Sequence, residues 1–413
     1  MKNSQTFIGI LVCLAMLCSC TQTKSPYDLS NFGLVPDRKG NASPLMAKAL
    51  EQIAVSHTGN DTITIVLPPG RYDFYPEGAA QKEYFISNHD QDNPKLVGLP
   101  FENMKNIVFD GQGSELIFHG RMLPVSLVNS ENCTLKNFSI DFENPHIAQV
   151  KVLENDAETG TITYEVAPWV QYEIRDSALI VKGEGWEHSP AWGIAFEGDT
   201  KRLVYRTSDI AVGSKGVSEV SPRVVKSTKW KNEKLIPGTV VAMRGYGRPT
   251  PGIFVSYDTN TTLENIQVHY AEGMGLLAQM SENITLDKFS VCLRGDSDPR
   301  YFTTQADATH FSGCKGKIVS CNGLYEGMMD DAINVHGTYL KVQKRVDDKT
   351  LVGEYMHGQS YGFEWGFSGD AVQFIDSKTM EILGDQNKVV AIKSVDKPSA
   401  HGAKQFEIVF EKA

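Results

Sequence analysis

Three aspartates in the second half of the chain have a spacing that could support acid–base chemistry. Asp330 and Asp331 are adjacent in the stretch GLYEGMMDDAINVHG, and Asp307 lies 23 residues before Asp330 in TQADATHFSG. Carboxylates held close together raise one another's pKa, so that one keeps its proton while another stays ionised. Hydrolysis of a glycosidic bond needs such a pair, a protonated acid and an ionised base. A calcium site or a solvated acidic edge is the alternative interpretation.

The elements that would position these carboxylates are indicated by an internal repeat. Three nonapeptides share the pattern Asn-x-Thr-Leu-x-x-[Phe/Ile]-x-[Ile/Val], namely NCTLKNFSI (132–140), NTTLENIQV (260–268) and NITLDKFSV (283–291). The last two begin 23 residues apart, which is the length of one coil of a solenoid. We therefore predict an all-β fold, a right-handed parallel β-helix of the pectin-lyase-like kind, with Leu135, Leu263 and Leu286 stacked inside. A two-sheet sandwich is the alternative, which the near-identical repeats and long loops disfavour.

A coil of this length predicts the register of the acidic residues. Asp307 and Asp330 would lie on adjacent rungs, about 4.8 Å apart, and Gly275 one rung earlier would leave a gap for a ligand. Asp331 would point to the opposite face of a regular strand. We expect a local bulge to turn it into the same cleft, without assigning which carboxylate is the acid and which the base.

The repeat also predicts the domain organisation. Residues 21–147 would form an N-terminal cap, including a helix over 44–56, and the first coils. The interval between the first two repeats is too long for one coil, and its alternating pattern predicts an inserted antiparallel β-domain over 148–245. Coils with the carboxylates would occupy 246–338, and a second β-domain 339–413, with the chain ending before further coils.

The first 20 residues are typical of an export signal. Lys2 is followed by an apolar core from Phe7 to Leu17 that is too short to span a bilayer. The tetrad Leu-Cys-Ser-Cys that ends at Cys20 resembles a bacterial lipobox, which implies lipidation of Cys20 and a membrane-anchored lipoprotein on the periplasmic or cell-surface side. An ordinary secretory signal is the alternative.

The charge and the cysteine content of the chain limit which partners and cofactors are expected. The net charge is −10 and no cluster of Lys or Arg is present, which excludes nucleic acid as an expected partner and disfavours anionic polymers. Four of the seven cysteines follow the signal, and we predict buried thiols for them, with one disulfide as the alternative. No Cys-x-x-Cys or His-rich pattern predicts a structural zinc site.

The stretches ADATH (306–310) and GMMDDAINVHG (327–337), together with the lipoprotein-like signal and the interrupted β-helix, resemble the bacterial α-1,3-galactosidases of glycoside hydrolase family 110, in particular the Bacteroides-type B subgroup. The resemblance implies an exo-acting, inverting, metal-independent enzyme without a cofactor. Its substrates would be oligosaccharides or glycoconjugates with terminal α-1,3-linked galactose, both blood-group-B-like and linear. Asp307, Asp330 and Asp331 match the proposed catalytic carboxylates of the family.

Two other classes stay open at the level of sequence. A polygalacturonase-like or pectate-lyase-like enzyme shares the β-helix, and a glycan-binding solenoid could use the same carboxylates without catalysis. Four further residues are candidates for substrate binding, although a structural role explains each at least as well and a core position is the favoured one for the last: Arg294, His310, His336 and Trp365. The oligomeric state cannot be inferred from the sequence.

Overall fold

A computed structural model describes residues 27–245, 247–396 and 402–413. The predicted export signal and Cys20 lie outside these ranges. Within them, one α-helix, Ser43–Ser56, precedes the β-structure and buries Met46, Ala49, Leu50 and Ile53 against it. Two short 3-10 helices, Leu29–Phe32 and Gly358–Ser360, complete the helical part. No helix of the described residues is long and apolar enough to cross a membrane.

Two parallel sheets form the body of the protein, and from Lys95 onward their strands alternate along the chain, so that each pair of strands makes one coil. The first sheet consists of Ile63–Val66, Arg71–Phe74, Lys105–Phe118, Glu131–Phe142, Thr259–Val268, Glu282–Val291 and Lys315–Cys321. The second sheet consists of Ala80–Lys82, Lys95–Glu102, Leu123–Val128, Ile253–Ser256, Leu276–Gln279, Thr309–Ser312 and Ile333–His336. Only the first of these seven, Ala80–Lys82, pairs antiparallel to its neighbour. The predicted parallel β-helix is therefore confirmed.

The repeat that predicted the coil is explained by two features of the packing. Leu263 pairs with Leu135 on one side and with Leu286 on the other, and all three side chains are fully buried. Asn260 opens its repeat in the left-handed backbone region, at φ 59°, which Asn tolerates better than most residues. Its side chain donates to Asn132 Oδ1 at 2.9 Å and accepts from Asn283 Nδ2 at 3.1 Å, so the repeated Asn forms a ladder across the coils.

Antiparallel sheets interrupt the coils between Phe142 and Ile253. A seven-stranded sheet contains Ala148–Asp156, Thr161–Val166, Trp192–Phe196, Ile210–Ala211, Val217–Ser221, Val224–Ser227 and Val240–Arg244. A three-stranded sheet contains Gln171–Arg175, Ala178–Gly183 and Trp186–His188. These strands have a hydrophobic core of their own, which includes Val150 and Tyr164.

The end of the chain forms a second antiparallel unit. Its five strands are Leu340–Arg345, Thr350–Tyr355, Ala371–Ile375, Ile382–Ser394 and Gln405–Phe410. Tyr355, Phe363 and Phe406 form its core. We refer to residues 339–396 and 402–413 as the C-terminal β-domain.

The cysteines follow the prediction only in part. Cys133 and Cys292 are buried, as expected, but Cys314 is half-buried and Cys321 is exposed. All four carry free thiols. Cys321 is exposed because its strand, Lys315–Cys321, forms the edge of the first sheet among the residues that the structure describes.

Candidate active site

Asp307, Asp330 and Asp331 come together at the N-terminal ends of the last two strands of the second sheet. Oxygen atoms of the three carboxylates all lie within 4.8 Å of one another. Asp307 is buried, whereas Asp330 and Asp331 are exposed. The structure therefore gathers the three residues that the sequence singled out, with one at the base of the site and two at its rim.

The register that brings them together differs from the predicted one. Thr309 pairs with Ile333, so this coil is one residue longer than the 23-residue coil that separates Asn260 from Asn283. Asp307 consequently lies opposite Asp331, and the Ala308 amide donates to the Asp331 carbonyl at 2.8 Å. The expectation that Asp307 and Asp330 share a column was wrong by one residue.

The predicted role of Gly275 is also wrong. Gly275 lies opposite Ala308, and a Cβ atom on it would meet the Ala308 carbonyl oxygen and Val291 Cγ2, each at 2.6 Å. The position is a close approach of backbones inside the coil, which requires glycine. It does not line a gap beside the carboxylates.

The backbone around the paired aspartates explains how both reach the site. Asp330, Asp331 and Ala332 form a bend that precedes the strand Ile333–His336, so the alternation of a regular strand does not apply to them. The expected bulge is thus replaced by an irregular segment. Asn334, which follows on the strand, donates from Nδ2 to Asp331 Oδ2 at 3.0 Å and fixes that carboxylate.

A chain of hydrogen bonds extends from Asp307. Its Oδ2 accepts from Nδ1 of the buried His310 at 2.7 Å, and His310 Nε2 lies 2.7 Å from His336 Nε2. A proton must lie between these two nitrogens, because two lone pairs at this distance would repel. Asn88 Nδ2 lies 2.7 Å from His310 Nε2 and 3.3 Å from His336 Nε2. His310 and His336, both predicted as substrate-binding residues, therefore form one network with Asp307.

The electrostatics of the site distinguish Asp330 from its neighbours. Partial burial raises the pKa of Asp330, and the negative charges of Asp307 and Asp331 raise it further. The guanidinium of Arg248, 3.9 Å from Asp330 Oδ2, opposes this effect. A carboxyl whose pKa is raised keeps its proton to higher pH, which suits it to the role of a general acid.

One segment that the sequence did not single out completes the site. Residues 84–92, here called the strap, cross the outer face of the second sheet. The Ser87 amide donates to Gln279 Oε1 at 2.9 Å, and the Asn88 amide donates to the Gln359 carbonyl at 2.9 Å. Asp90 Oδ2 accepts from the Arg248 amide at 2.7 Å. The polar run SNHDQD (87–92) between two strands was the only available signal for this segment.

Two of the predicted substrate-binding residues are engaged elsewhere. Arg294 makes ion pairs with Asp141, at 2.6 Å from Nε, and with Glu115, at 3.0 Å. Trp365 donates its indole N–H to the Thr338 carbonyl and packs on the core of the C-terminal β-domain. In residues 27–245, 247–396 and 402–413, no hydrogen bond or ion pair joins either side chain to the three carboxylates. Their contacts are structural, and substrate binding by them stays an untested prediction.

Two groups in the described part of the chain have ligand atoms close enough to hold a metal ion. One is the carboxylate cluster itself, whose all-oxygen donor set suits a hard divalent cation. The other combines Asp73, His119 and Glu143, but Arg71 already pairs with Glu143 at 2.8 Å and also with Asp73. The positive charge of the Arg71 guanidinium thus offsets the negative charge of the second group.

Comparison with known proteins gives matches over nearly the whole chain. Family models of the GLAA-B beta-barrel domains I and II match residues 148–241 and 350–400. A protein of Parabacteroides distasonis named alpha-1,3-galactosidase B is 67% identical, over 98% of this chain and 66% of its own length. A protein of the same name from Phocaeicola vulgatus is 64% identical, over 96% of this chain and 68% of its own length.

The chain belongs to the alpha-1,3-galactosidase B family. It spans about two thirds of the length of these relatives. Among solved structures, the A-module of the Azotobacter vinelandii mannuronan C-5 epimerase AlgE4 aligns over 75% of this chain and 76% of that chain. The identity of 10% and the TM-score of 0.25 are too low to bear on function. In this alpha-1,3-galactosidase B family member, the two barrel matches fall on the antiparallel sheets.

Proposed function

We propose that the protein is an exo-acting galactosidase that hydrolyses terminal α-1,3-linked galactose. The observation that carries the proposal is the cluster of Asp307, Asp330 and Asp331, whose oxygen atoms lie within 4.8 Å of one another. The name shared by its relatives, alpha-1,3-galactosidase B, supports the choice of sugar and linkage.

The environments of the carboxyl groups suggest their roles. Asp330 has a raised pKa and is exposed to an entering ligand, so it is the proposed acid that protonates the leaving oxygen. Asp331 is held by Asn334, and Asp307 by His310, so both present fixed acceptors for an attacking water. His310 and His336 position Asp307 and do not themselves need to contact the sugar.

The resemblance to the family leads us to propose inversion of the anomeric centre. Inverting enzymes keep their acid and base about 6.5–9.5 Å apart, to leave room for water, whereas retaining enzymes keep them about 5–5.5 Å apart. The nearest oxygens here lie within 4.8 Å, which is shorter than either separation. The proposal of inversion therefore rests on the resemblance, and it requires the two carboxyl groups to lie farther apart when sugar and water are bound.

The proposed substrates are neutral glycans, both linear and blood-group-B-like, and the proposed reaction needs no metal. The net charge of −10 disfavours acidic polymers such as polygalacturonate. We also propose export and lipid anchoring through Cys20, on the basis of the sequence motif alone. A Cys20→Ala variant that still incorporates labelled palmitate in cells would contradict the anchor.

The decisive experiment is hydrolysis of α-1,3-linked galactobiose followed by ¹H NMR. Release of galactose, with the β-anomer appearing first, is the expected result, and the α-anomer appearing first would indicate retention. Asp330→Asn should reduce the rate by about 10²- to 10⁴-fold, the usual contribution of a general acid. Asp348→Asn, at a side chain that is 88% exposed, is the matched control and should leave the rate unchanged.

Two further measurements separate the alternatives. Activity that persists in a chelator excludes a metal-dependent lyase, and an ultraviolet-absorbing unsaturated product would demonstrate one. If the wild-type protein releases no galactose although it binds galactobiose, the protein is a glycan-binding solenoid and the catalytic proposal fails.

A further inference from the structure

A second cleft, of about 800 Å³, lies on the same sheet but outside the carboxylate cluster. It runs along the C-terminal ends of the strands of the second sheet, from Glu102 past Ser256 and Gln279 to Lys315. Gly362, Phe363, Glu364 and Phe367 of the C-terminal β-domain line its other side. Its volume is that of a typical small-molecule site, and its course across several strands suits an elongated ligand.

The lining combines aromatic rings with carboxylates. Tyr84 and Phe254 are buried and pack together beneath the cleft, with ring centroids 5.4 Å apart. The half-buried rings of Tyr257 and Phe367, whose centroids are 5.9 Å apart, border it. Four exposed or half-buried carboxyl side chains line the cleft against a single lysine, Lys315: Glu83, Glu102, Glu282 and Glu364. Aromatic faces bind the C–H surfaces of sugars, and carboxylates accept hydrogen bonds from hydroxyl groups. The excess negative charge repels sulfated or carboxylated chains.

Tyr257 lies in the left-handed backbone region, at φ 58°, at the bend where the chain leaves the second sheet. The adjacent coils place Asn129, at φ 54°, and Met280, at φ 50°, at the same bend. Asn adopts this region at little cost, whereas Met and Tyr do not. A tyrosine there is strained, and such strain is concentrated at ligand sites. Its ring lines the cleft while its hydroxyl accepts from the Glu364 amide at 3.1 Å.

The cleft is separated from the candidate active site by the strap. Gln279 accepts from the Ser87 amide through Oε1 and donates to the Phe85 carbonyl through Nε2 at 3.0 Å. Phe85 faces the cleft, whereas Asn88 faces His310 and His336. A ligand in the cleft would therefore lie beside the carboxylate cluster without reaching it.

We propose that this cleft is a second, non-catalytic site that binds a neutral oligosaccharide chain. The site would hold part of a branched or surface-attached glycan while another terminus enters the carboxylate cluster. It does not depend on hydrolysis, so its failure and the failure of the proposed function can be told apart.

The test uses a probe that lacks α-linked galactose, the neutral tetrasaccharide lacto-N-neotetraose. Saturation-transfer NMR and calorimetric titration should show saturable binding to the wild-type protein. Tyr257→Asn should weaken binding at least about tenfold, which corresponds to about 1.4 kcal/mol. Because Asn suits the left-handed backbone, this variant should still fold, with an unchanged far-ultraviolet circular dichroism spectrum.

Three comparisons make the result decisive. Tyr205→Asn removes a tyrosine that is 76% exposed and lies outside the cleft, and it should bind as the wild type does. Asp330→Asn should also bind normally, and loss of binding there would place the probe in the candidate active site and overturn the proposal. A sialylated form of the probe should bind more weakly. Equal affinity of Tyr257→Asn and wild type, or no saturable binding at all, would also refute the second site.

Discussion

Asp258 gives the sharpest prediction about stability, because its carboxyl group is enclosed by the coils. It is 1% exposed, and its Oδ1 accepts from the Ser130 amide at 2.8 Å. Burial raises the pKa of Asp258 to about 7. Asp258→Asn keeps the acceptor for Ser130 and offers an N–H to Thr261, whose hydroxyl now lies 3.3 Å from Oδ2.

The magnitude follows from the difference between the folded and unfolded pKa values. Between about pH 4 and pH 7 the folded protein holds a proton on Asp258 that the unfolded chain has lost, so the free energy of unfolding falls as pH rises through this window. A difference from the model value of 3.8 to about 7 corresponds to roughly 4 kcal/mol. Asn does not titrate, so Asp258→Asn should match the wild type near pH 4 and exceed it by up to roughly 4 kcal/mol at pH 8.

Urea unfolding followed by far-ultraviolet circular dichroism, at pH 4, 6 and 8, measures this difference. Asp348→Asn is the control, and its difference from wild type should not change with pH, because the side chain is 88% exposed. A difference between Asp258→Asn and wild type that stays constant from pH 4 to pH 8 would refute the reasoning. So would a variant that is less stable than wild type at pH 8.

Three further predictions concern the site and the coils. Asp307→Asn and Asp331→Asn should each lower the pKa of Asp330, because each removes a like charge. Arg248→Gln should raise the pKa of Asp330, because it removes an opposite charge. ¹³C NMR titration of labelled aspartates measures these changes in pKa. Asn260→Ala should destabilise the protein by about 1–2 kcal/mol, because alanine is strained at φ 59°, and thermal unfolding measures the loss. Leu263→Ala, at a fully buried side chain, should cost about 3–5 kcal/mol in urea unfolding.

The two stability predictions have matched controls, and the pKa prediction has an outcome that would refute it. Asn260→Gly should lose less stability than Asn260→Ala, because glycine adopts the left-handed region without strain, and the reverse order would contradict the backbone argument. Leu203→Ala, at a side chain that is 53% exposed, should change stability by less than about 0.5 kcal/mol. An unchanged pKa of Asp330 in both aspartate variants would show that the three charges do not interact.

The sequence predicted the coils well because their determinants are local and repeated. The spacing of Asn260 and Asn283 reflects one ladder of side chains, and the leucines three residues after them reflect one buried column. The same reasoning failed for Asp331, because the last coil contains one extra residue outside any repeat. A count of residues along the chain cannot detect such an insertion.

The remainder of the candidate site could not be predicted, because it comes from contacts between distant segments. Asn88 carries no pattern of its own, and only the fold places it against His310 and His336. The position of Arg294 in the sequence suggested a role at the site that its contacts do not show. The residue lies beside the coils in sequence, but Asp141 and Glu115 hold its guanidinium.

The contacts of the strap affect the order in which parts of the protein fold. Asn88 meets His310 across 222 residues of chain and His336 across 248, whereas neighbouring coils such as those of Asn260 and Asn283 pair residues 23 apart. Contacts between distant residues form slowly, because the long loop between them must close first. We therefore expect the coils to gain their β-structure early and the strap to dock late. In refolding, β-sheet signal should return before hydrolytic competence, and the interval between the two should measure the docking of this one segment.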